Sequence, residues 1–385
     1  AYQLVESYLE MIPLGSKLKA TLLPQKLIVN PTKVYTEEFE SLTGWSATNC
    51  NAELNTTEKY NGDASIKITT INDSLGSIVK NVEWNLDNDG SSIKFWVYCH
   101  SDPTTTISSL GVTLCTDRTT WWVNAYSCQT DVTVLRQNKW VLFQVRKMTA
   151  SGSPDLGAIK MIRINLTPKT GQTAIVSIDS LEQGVIKKPA VLLTFDDVPV
   201  SNYTKAFPAL RQRRMKGTAY VYLNNLDYDS AHLTSEQLTE LYNNGWDIGN
   251  HTVNHYDLTS ITDEQVISEL ENCTNAIDAL GLTRASKHIA YPNGLYNDNV
   301  LSLMETWGAT SGRTVLKNIN LYENGWPYEL RAFSPTNVTT LQQMKDFVDN
   351  AIVQQEVAIF VIHDIVDSDA NNSVKMLTAT FEGLL

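Results

Sequence analysis

The 385-residue chain reads as two domains of different fold class: an antiparallel β-sandwich, then a domain with a parallel sheet or α/β barrel. Three observations predict this. At roughly 100–200 residues per domain, a chain of this length buries two cores, or three. Residues 33–187 alternate short runs of β-branched and aromatic residues with turn sequences. After Lys187-Lys188-Pro189 the pattern changes, and apolar runs of strand length alternate with stretches of helical length up to residue 385.

In the first half, strands are expected at 64–70, 93–98, 141–145, 161–166 and 174–178. Turn sequences such as Asn61-Gly62-Asp63, Asp87-Asn88-Asp89-Gly90 and Ser151-Gly152-Ser153-Pro154 separate them. Many short strands with this punctuation predict a sandwich. In the second half, strands are expected at 190–195, 217–222, 247–248, 287–290 and 357–362, and helices at 204–214, 235–243, 263–279, 297–305 and 340–354. Residues 1–32 fit neither pattern, because Pro13, Pro24 and Pro31 interrupt their apolar pieces. They are expected to be a linker or an attachment or oligomerisation element, through which a homo-oligomer or larger assembly would form.

Composition excludes several classes. An apolar content of 42% with 19% charged residues is that of a globular protein. The 42 acidic against 30 basic side chains give a net charge of -12, which repels phosphate and argues against nucleic acid. The best apolar run, at 357–362, has six residues, against the roughly 18 of a membrane-spanning helix. Residues 1–10 hold two glutamates and no basic residue, so they do not read as a signal peptide. The five cysteines are too scattered for a disulfide framework, although one pair among Cys99, Cys115 and Cys128 could meet. No CxxC pair exists to suggest a thiolate zinc site.

Three clusters in the second half carry chemistry. Thr194-Phe195-Asp196-Asp197 closes the first strand of the domain, and α/β barrels build active sites at that end of their strands. By itself an Asp-Asp turn is the plainer reading. His251 and His255 stand four residues apart, a spacing that brings two imidazoles to one side of a helical turn, near enough to share a metal. His363 follows the 357–362 strand, where an imidazole is well placed as a general acid or base. Together they describe metal-assisted hydrolysis: two imidazoles and a carboxylate leave an ion with open positions, the spare Asp takes a proton, and the distal histidine gives one.

In these motifs the segment 190–366 resembles the NodB homology domain of the polysaccharide deacetylase family, carbohydrate esterase family 4. TFDD at 194–197, GWDIGNHTVNHYDLT at 245–259, AYPNG at 290–294 and VIH at 361–363 look like its first, second, third and fifth motifs. The resemblance implies a distorted (β/α) barrel of NodB type with a groove open to a polymer. It implies Asp196 as catalytic base, Asp197, His251 and His255 as metal ligands, and His363 as general acid. The backbone N–H of Asn293 would help hold the oxyanion and Val361 would line the acetyl pocket. Tyr291, Pro292 and Arg331 would also meet substrate. One divalent ion is implied, zinc by default, with cobalt, nickel or manganese able to use the same donors.

Departures from the pattern are specific. Ala290 stands where many members have an Arg that orients the base, and in this the chain resembles the branch acting on poly-N-acetylglucosamine, which also lacks that Arg. Asn293 replaces the usual aromatic before Gly294. The fourth motif has no placement, though Arg331 sits near where it should fall. The expected activity is removal of N-acetyl groups from an amino-sugar polymer (poly-N-acetylglucosamine, peptidoglycan or chitin-like), secreted or at the cell surface. The alternatives are an O-acetyl esterase on xylan or a capsular glycan, and an inactive glycan-binding or virion attachment protein. In general form the first half resembles the jelly-roll carbohydrate-binding modules of such enzymes. Trp121-Trp122 is its candidate sugar platform, since neighbouring strand residues face opposite sides.

Overall fold

The structure, a computed structural model, describes residues 36–385 apart from 72, 86–92, 119–122, 130–131, 146–148, 184–188, 321–326, 355 and 369–373. The leading segment 1–32 and the pair Trp121-Trp122 therefore lie outside the described residues. Alternation decides the first half. In the strand Ile93–Cys99 every second residue is buried, so Ile93, Phe95, Val97 and Cys99 face one way and Lys94, Trp96 and Tyr98 the other. That strand lies in an antiparallel sheet ordered Cys50–Asn55, Ser65–Thr70, Ile175–Gln183, Ile93–Cys99 and Trp140–Val145. A second antiparallel sheet contains Ile107–Cys115, Ile159–Pro168 and Gly76–Trp84 side by side.

Both sheets bury one face in a single core. Ile66, Ile68, Phe95 and Val97 come from the first sheet, and Ile78, Val112, Leu114 and Ile164 from the second. Each such side chain contributes about 1.5–3 kcal/mol by leaving water. Cys99 and Cys115 are buried and form no disulfide with each other, one of the pairings the sequence left open.

The second half is a sheet of six parallel strands. Its order is Ser311–Arg313, His288–Ala290, Asp247–Asn250, Thr218–Val221, Ala190–Asp196 and Val357–Ile362. The expected barrel is thus a half-barrel. Its two edges are linked by residues 330–333, since Leu330 bridges to Arg313 and Phe333 to Phe360, both in parallel sense. Gly312 is required at that seam, because a Cβ there would lie 2.1 Å from the Tyr291 hydroxyl.

The helices start where side chains cap them. Thr234 with Gln237 and Thr262 with Gln265 form capping boxes for Ser235–Asn243 and Asp263–Ala279, each cap worth about 1 kcal/mol. Asn297 caps Asp298–Trp307, which ends at Gly308 in the left-handed region (φ 81°). The helix expected at 204–214 is instead a π-helical stretch, Asn202–Ala206, running into Phe207–Gln212. Pro208 lacks the N–H that a regular helical ladder would use there.

Residues 33–385 form one compact unit. The Arg136 guanidinium forks onto both carboxylate oxygens of Glu329, and Lys139 reaches Glu305 at 2.7 Å. The antiparallel half is therefore clasped to the segment that leads into the 330–333 seam. Among the described residues, no helix is long and apolar enough to cross a membrane.

Candidate active site

The site assembles at the C-terminal ends of the parallel strands. Asp196 is the last residue of Ala190–Asp196 and is only 2% exposed. The chain then reverses sharply, with Asp197 at φ 68° and Val198 at φ 52°. Two successive non-glycine residues in this region each cost about 1–3 kcal/mol and persist only where the surroundings fix them. Here the Asn225 amide donates to the Asp197 carbonyl, and the Leu233 N–H donates to that of Val198 at 2.8 Å. The reversal points two adjacent carboxylates into different environments.

Asp196 faces a buried guanidinium. Arg313, at the end of its own strand, donates from Nη2 to Asp196 Oδ2 at 2.5 Å while its charge lies over the Tyr220 ring. Burial alone would push this carboxyl up, but Arg313, with His251 and His363 behind it, outweighs burial and holds it below its ordinary value. Asp196 is therefore ionised at neutral pH, and its other oxygen, Oδ1, has no partner among the described residues. No motif marks Arg313 in advance. The nearest signal was the gap at Ala290, whose register partner on the adjacent strand is Arg313. The guanidinium absent from one strand end comes from the next one.

Asp197 faces two imidazoles. Its Oδ1 lies 3.6 Å from His251 Nε2 and 3.7 Å from His255 Nε2. The histidines are not on a helical turn, as their spacing suggests, but on a loop with Thr252 and His255 both left-handed (φ 68° and 56°). Side chains impose that path. Buried Asn250 accepts from the Thr252 N–H and donates to the Leu270 carbonyl and Thr274 hydroxyl. Glu269, on the helix behind, accepts from the N–H groups of Val253 and Asn254 at 3.0 and 2.8 Å. Sequence reading missed Glu269 as well, because an acidic residue in mid-helix looks like surface.

His251 donates its Nδ1–H to the Ala290 carbonyl at 2.8 Å, which leaves Nε2 as the lone-pair nitrogen facing Asp197. Burial also pushes this imidazole below 6.5, against the pull of Asp196 and Asp197, so it is neutral. One donor atom from each of Asp197, His251 and His255 fits within 4.8 Å, and Asp197 Oδ1 carries no hydrogen bond. Two imidazoles, that of His251 oriented by its bond to Ala290, beside an unbonded carboxylate oxygen fit a divalent metal ion.

The remaining expected residues fall into two groups. His363 Nε2 lies 4.0 Å from Asp197 Oδ2, so the imidazole borders the same site, while its buried Nδ1 has no partner among the described residues. Asn293 is exposed at a left-handed turn (φ 55°) beside the site. Tyr291, Pro292 and Val361 are instead buried behind it. The Tyr291 hydroxyl donates to the Tyr328 carbonyl, and Val361 packs with Ala332 and Ile359. These three side chains are buried, which the motifs do not signal. Arg331 lies in the 330–333 seam, its backbone bonded in both directions by Asn320.

Comparison with known proteins accords with this geometry. Residues 183–312 match the family model described as polysaccharide deacetylase. The Bacillus subtilis (strain 168) protein YxkH, named for that activity, is 34% identical over 131 residues, covering 33% of this chain and 46% of its own. The poly-β-1,6-N-acetyl-D-glucosamine N-deacetylase of Staphylococcus aureus (strain MRSA252) is 24% identical over 158 residues, covering 37% and 54%. Among solved structures, the Streptococcus pyogenes deacetylase PplD in complex with acetate shows 28% identity over 41% of this chain and 69% of that one, with a TM-score of 0.36. The chain thus spans about half the length of the curated relatives it matches. Residues 183–312 match the polysaccharide deacetylase family model, and the resemblance read from the motifs is borne out. The matched region stops one residue short of Arg313 and well before His363.

Proposed function

We propose that the chain is a metal-dependent polysaccharide deacetylase that hydrolyses N-acetyl groups of an amino-sugar polymer outside the cell. One observation carries this reading: two adjacent carboxylates, one buried against Arg313 and the other facing two oriented imidazoles. Asp197, His251 and His255 would hold the ion, zinc by default, with cobalt, nickel or manganese suited to the same donors. When bound, such an ion supplies Lewis acidity toward water and the acyl carbonyl.

The chain's own residues do the rest. Asp196 presents its unbonded Oδ1 as general base, kept ionised by Arg313. His363 gives a proton to the departing amine from Nε2. The N–H of Asn293, at an exposed turn, would donate to the developing oxyanion. We read the antiparallel half as a jelly-roll-like carbohydrate-binding module serving this site.

A second reading is an O-acetyl esterase, and the unpartnered Nδ1 of His363 favours it. No carboxylate among the described residues bonds that nitrogen, and an alcohol leaves with less help from an acid than an amine does. The test is acetate release from an acetylated chito-oligosaccharide and an acetylated xylan by zinc-loaded protein and by Asp196→Asn. Release from the amino sugar, lost in the variant at unchanged metal content, supports the deacetylase. Release from xylan alone replaces it with the esterase, and silence on both substrates overturns both readings.

A further inference from the structure

The outward face of the first antiparallel sheet carries aromatic side chains where a solvated sheet face usually carries polar ones. Trp96 and Tyr98 alternate with the core residues of Ile93–Cys99, and Trp140 is the register partner of Tyr98 on the neighbouring strand. The Tyr98 and Trp140 rings lie 5.4 Å apart, and Tyr60, 46% exposed, stacks on Trp96 at 3.8 Å. The loop bearing Tyr60 is anchored, since fully buried Asp179 accepts from the N–H groups of Tyr60 and Asn61 at 2.7 and 3.1 Å.

Polar groups border the rings. Asn55 donates to Glu58 at 2.9 Å and to Ser177 at 3.1 Å, and Ser177 also bonds His100 Nε2 at 2.9 Å. A second protein would cover such a face with apolar contacts and leave this network buried without benefit. A pyranose suits both parts: its C–H face lies on an aromatic ring and its hydroxyls reach amide, carboxylate and imidazole. Position supports the same ligand. The aromatic strip starts at Trp140, next to Lys139, whose ammonium is bonded to Glu305 of the catalytic half. Trp140 thus follows directly on a residue that contacts the other half, and Tyr98 lies across from it, with Trp96 two residues, about 6.6 Å of backbone, further along the strand.

We propose that Tyr60, Trp96, Tyr98 and Trp140, with Glu58 and Asn55 at the border, form a binding site for the acetylated amino-sugar polymer. The ligand class rests on the function proposed above. The site takes sugar units of a chain whose other units reach the catalytic half, and this raises the local concentration of acetyl groups there.

The test is calorimetric titration of an acetylated amino-sugar hexamer into the full chain carrying Asp196→Asn, which prevents turnover. Tyr98→Ala and Trp140→Ala, each added to that chain, are expected to weaken binding at least tenfold, and Glu58→Gln about threefold. The hexamer is also expected to change tryptophan fluorescence, and Trp140→Phe to reduce that change. Thermal melting identifies a variant that fails to fold, and if Trp140→Ala does, Tyr98→Ala and Glu58→Gln carry the test. No binding, or binding that Tyr98→Ala leaves within twofold, overturns the site. Acetate release by the unmodified chain separates the two readings. If release occurs while binding ignores Tyr98→Ala, only this site falls. If binding depends on Tyr98 while no acetate appears, the catalytic reading falls and the binding site stands.

Discussion

Asp196 and Asp197 are covalent neighbours in opposite circumstances. Asp196 is enclosed and held by one strong ionic hydrogen bond from Arg313, whereas Asp197 is partly open and faces two imidazoles. The difference is set less by the two residues than by the backbone reversal between them and by the strand ends beside it. A base needs a fixed charge at a fixed place. A ligand needs an available lone pair. One turn supplies both, so the two positions should respond differently to the same change.

The largest effect is expected for Asp196→Asn: acetate release should fall about 10²–10⁴-fold while zinc content by mass spectrometry or dye titration is unchanged. Equal loss of metal would erase the distinction between the neighbours. Asp197→Asn should do the reverse and weaken zinc at least 100-fold in chelator competition, with activity recovered at high zinc.

Arg313→Met sharpens the contrast. It leaves Asp196 as an uncompensated buried charge and should destabilise the fold by about 3–5 kcal/mol, read by urea titration. The sign of the pH effect follows from the same pair. Arg313 holds the carboxyl of Asp196 down, so its removal should move the acid limb of the rate profile to higher pH. An unmoved limb would remove Asp196 as the base.

Glu269→Gln, remote from the ion, should lower zinc affinity about tenfold through the loosened histidine loop.

The smallest effect concerns His288, a half-buried imidazole bonded to Ser311 Oγ and pushed by desolvation below 6.5. The unfolded chain takes up this proton more readily, so its contribution is present above pH 6.5 and is lost as pH falls below it. The melting temperature should therefore decline on acidification, and less steeply in His288→Asn.

What could be read from the sequence follows the range of the interactions. The helices at 235–243 and 263–279 were legible to the residue because Thr234 with Gln237 and Thr262 with Gln265 act within one turn. Asp196, Asp197, His251, His255 and His363 were legible because each closes or follows a strand. Arg313 was not, since its strand has three residues and no apolar run, and its partner lies 117 positions away. Nor was the true path of the histidine loop, which Asn250 and Glu269 impose from outside it. The aromatic face was hidden for a related reason. Trp96, Tyr98 and Trp140 look like core residues until the register shows which side of the sheet each takes.

The clasp between Arg136 and Glu329 has a consequence for anyone who would dissect this protein. Glu329 is nearly enclosed, and its counter-charge comes from the opposite half. A fragment begun near residue 188 would keep the four recognisable motifs yet strand an acid without its base, beside the very stretch that joins the edges of the half-barrel. Truncation would thus remove a partner of the stretch beside that seam, and the smallest piece worth expressing is longer than the motifs suggest.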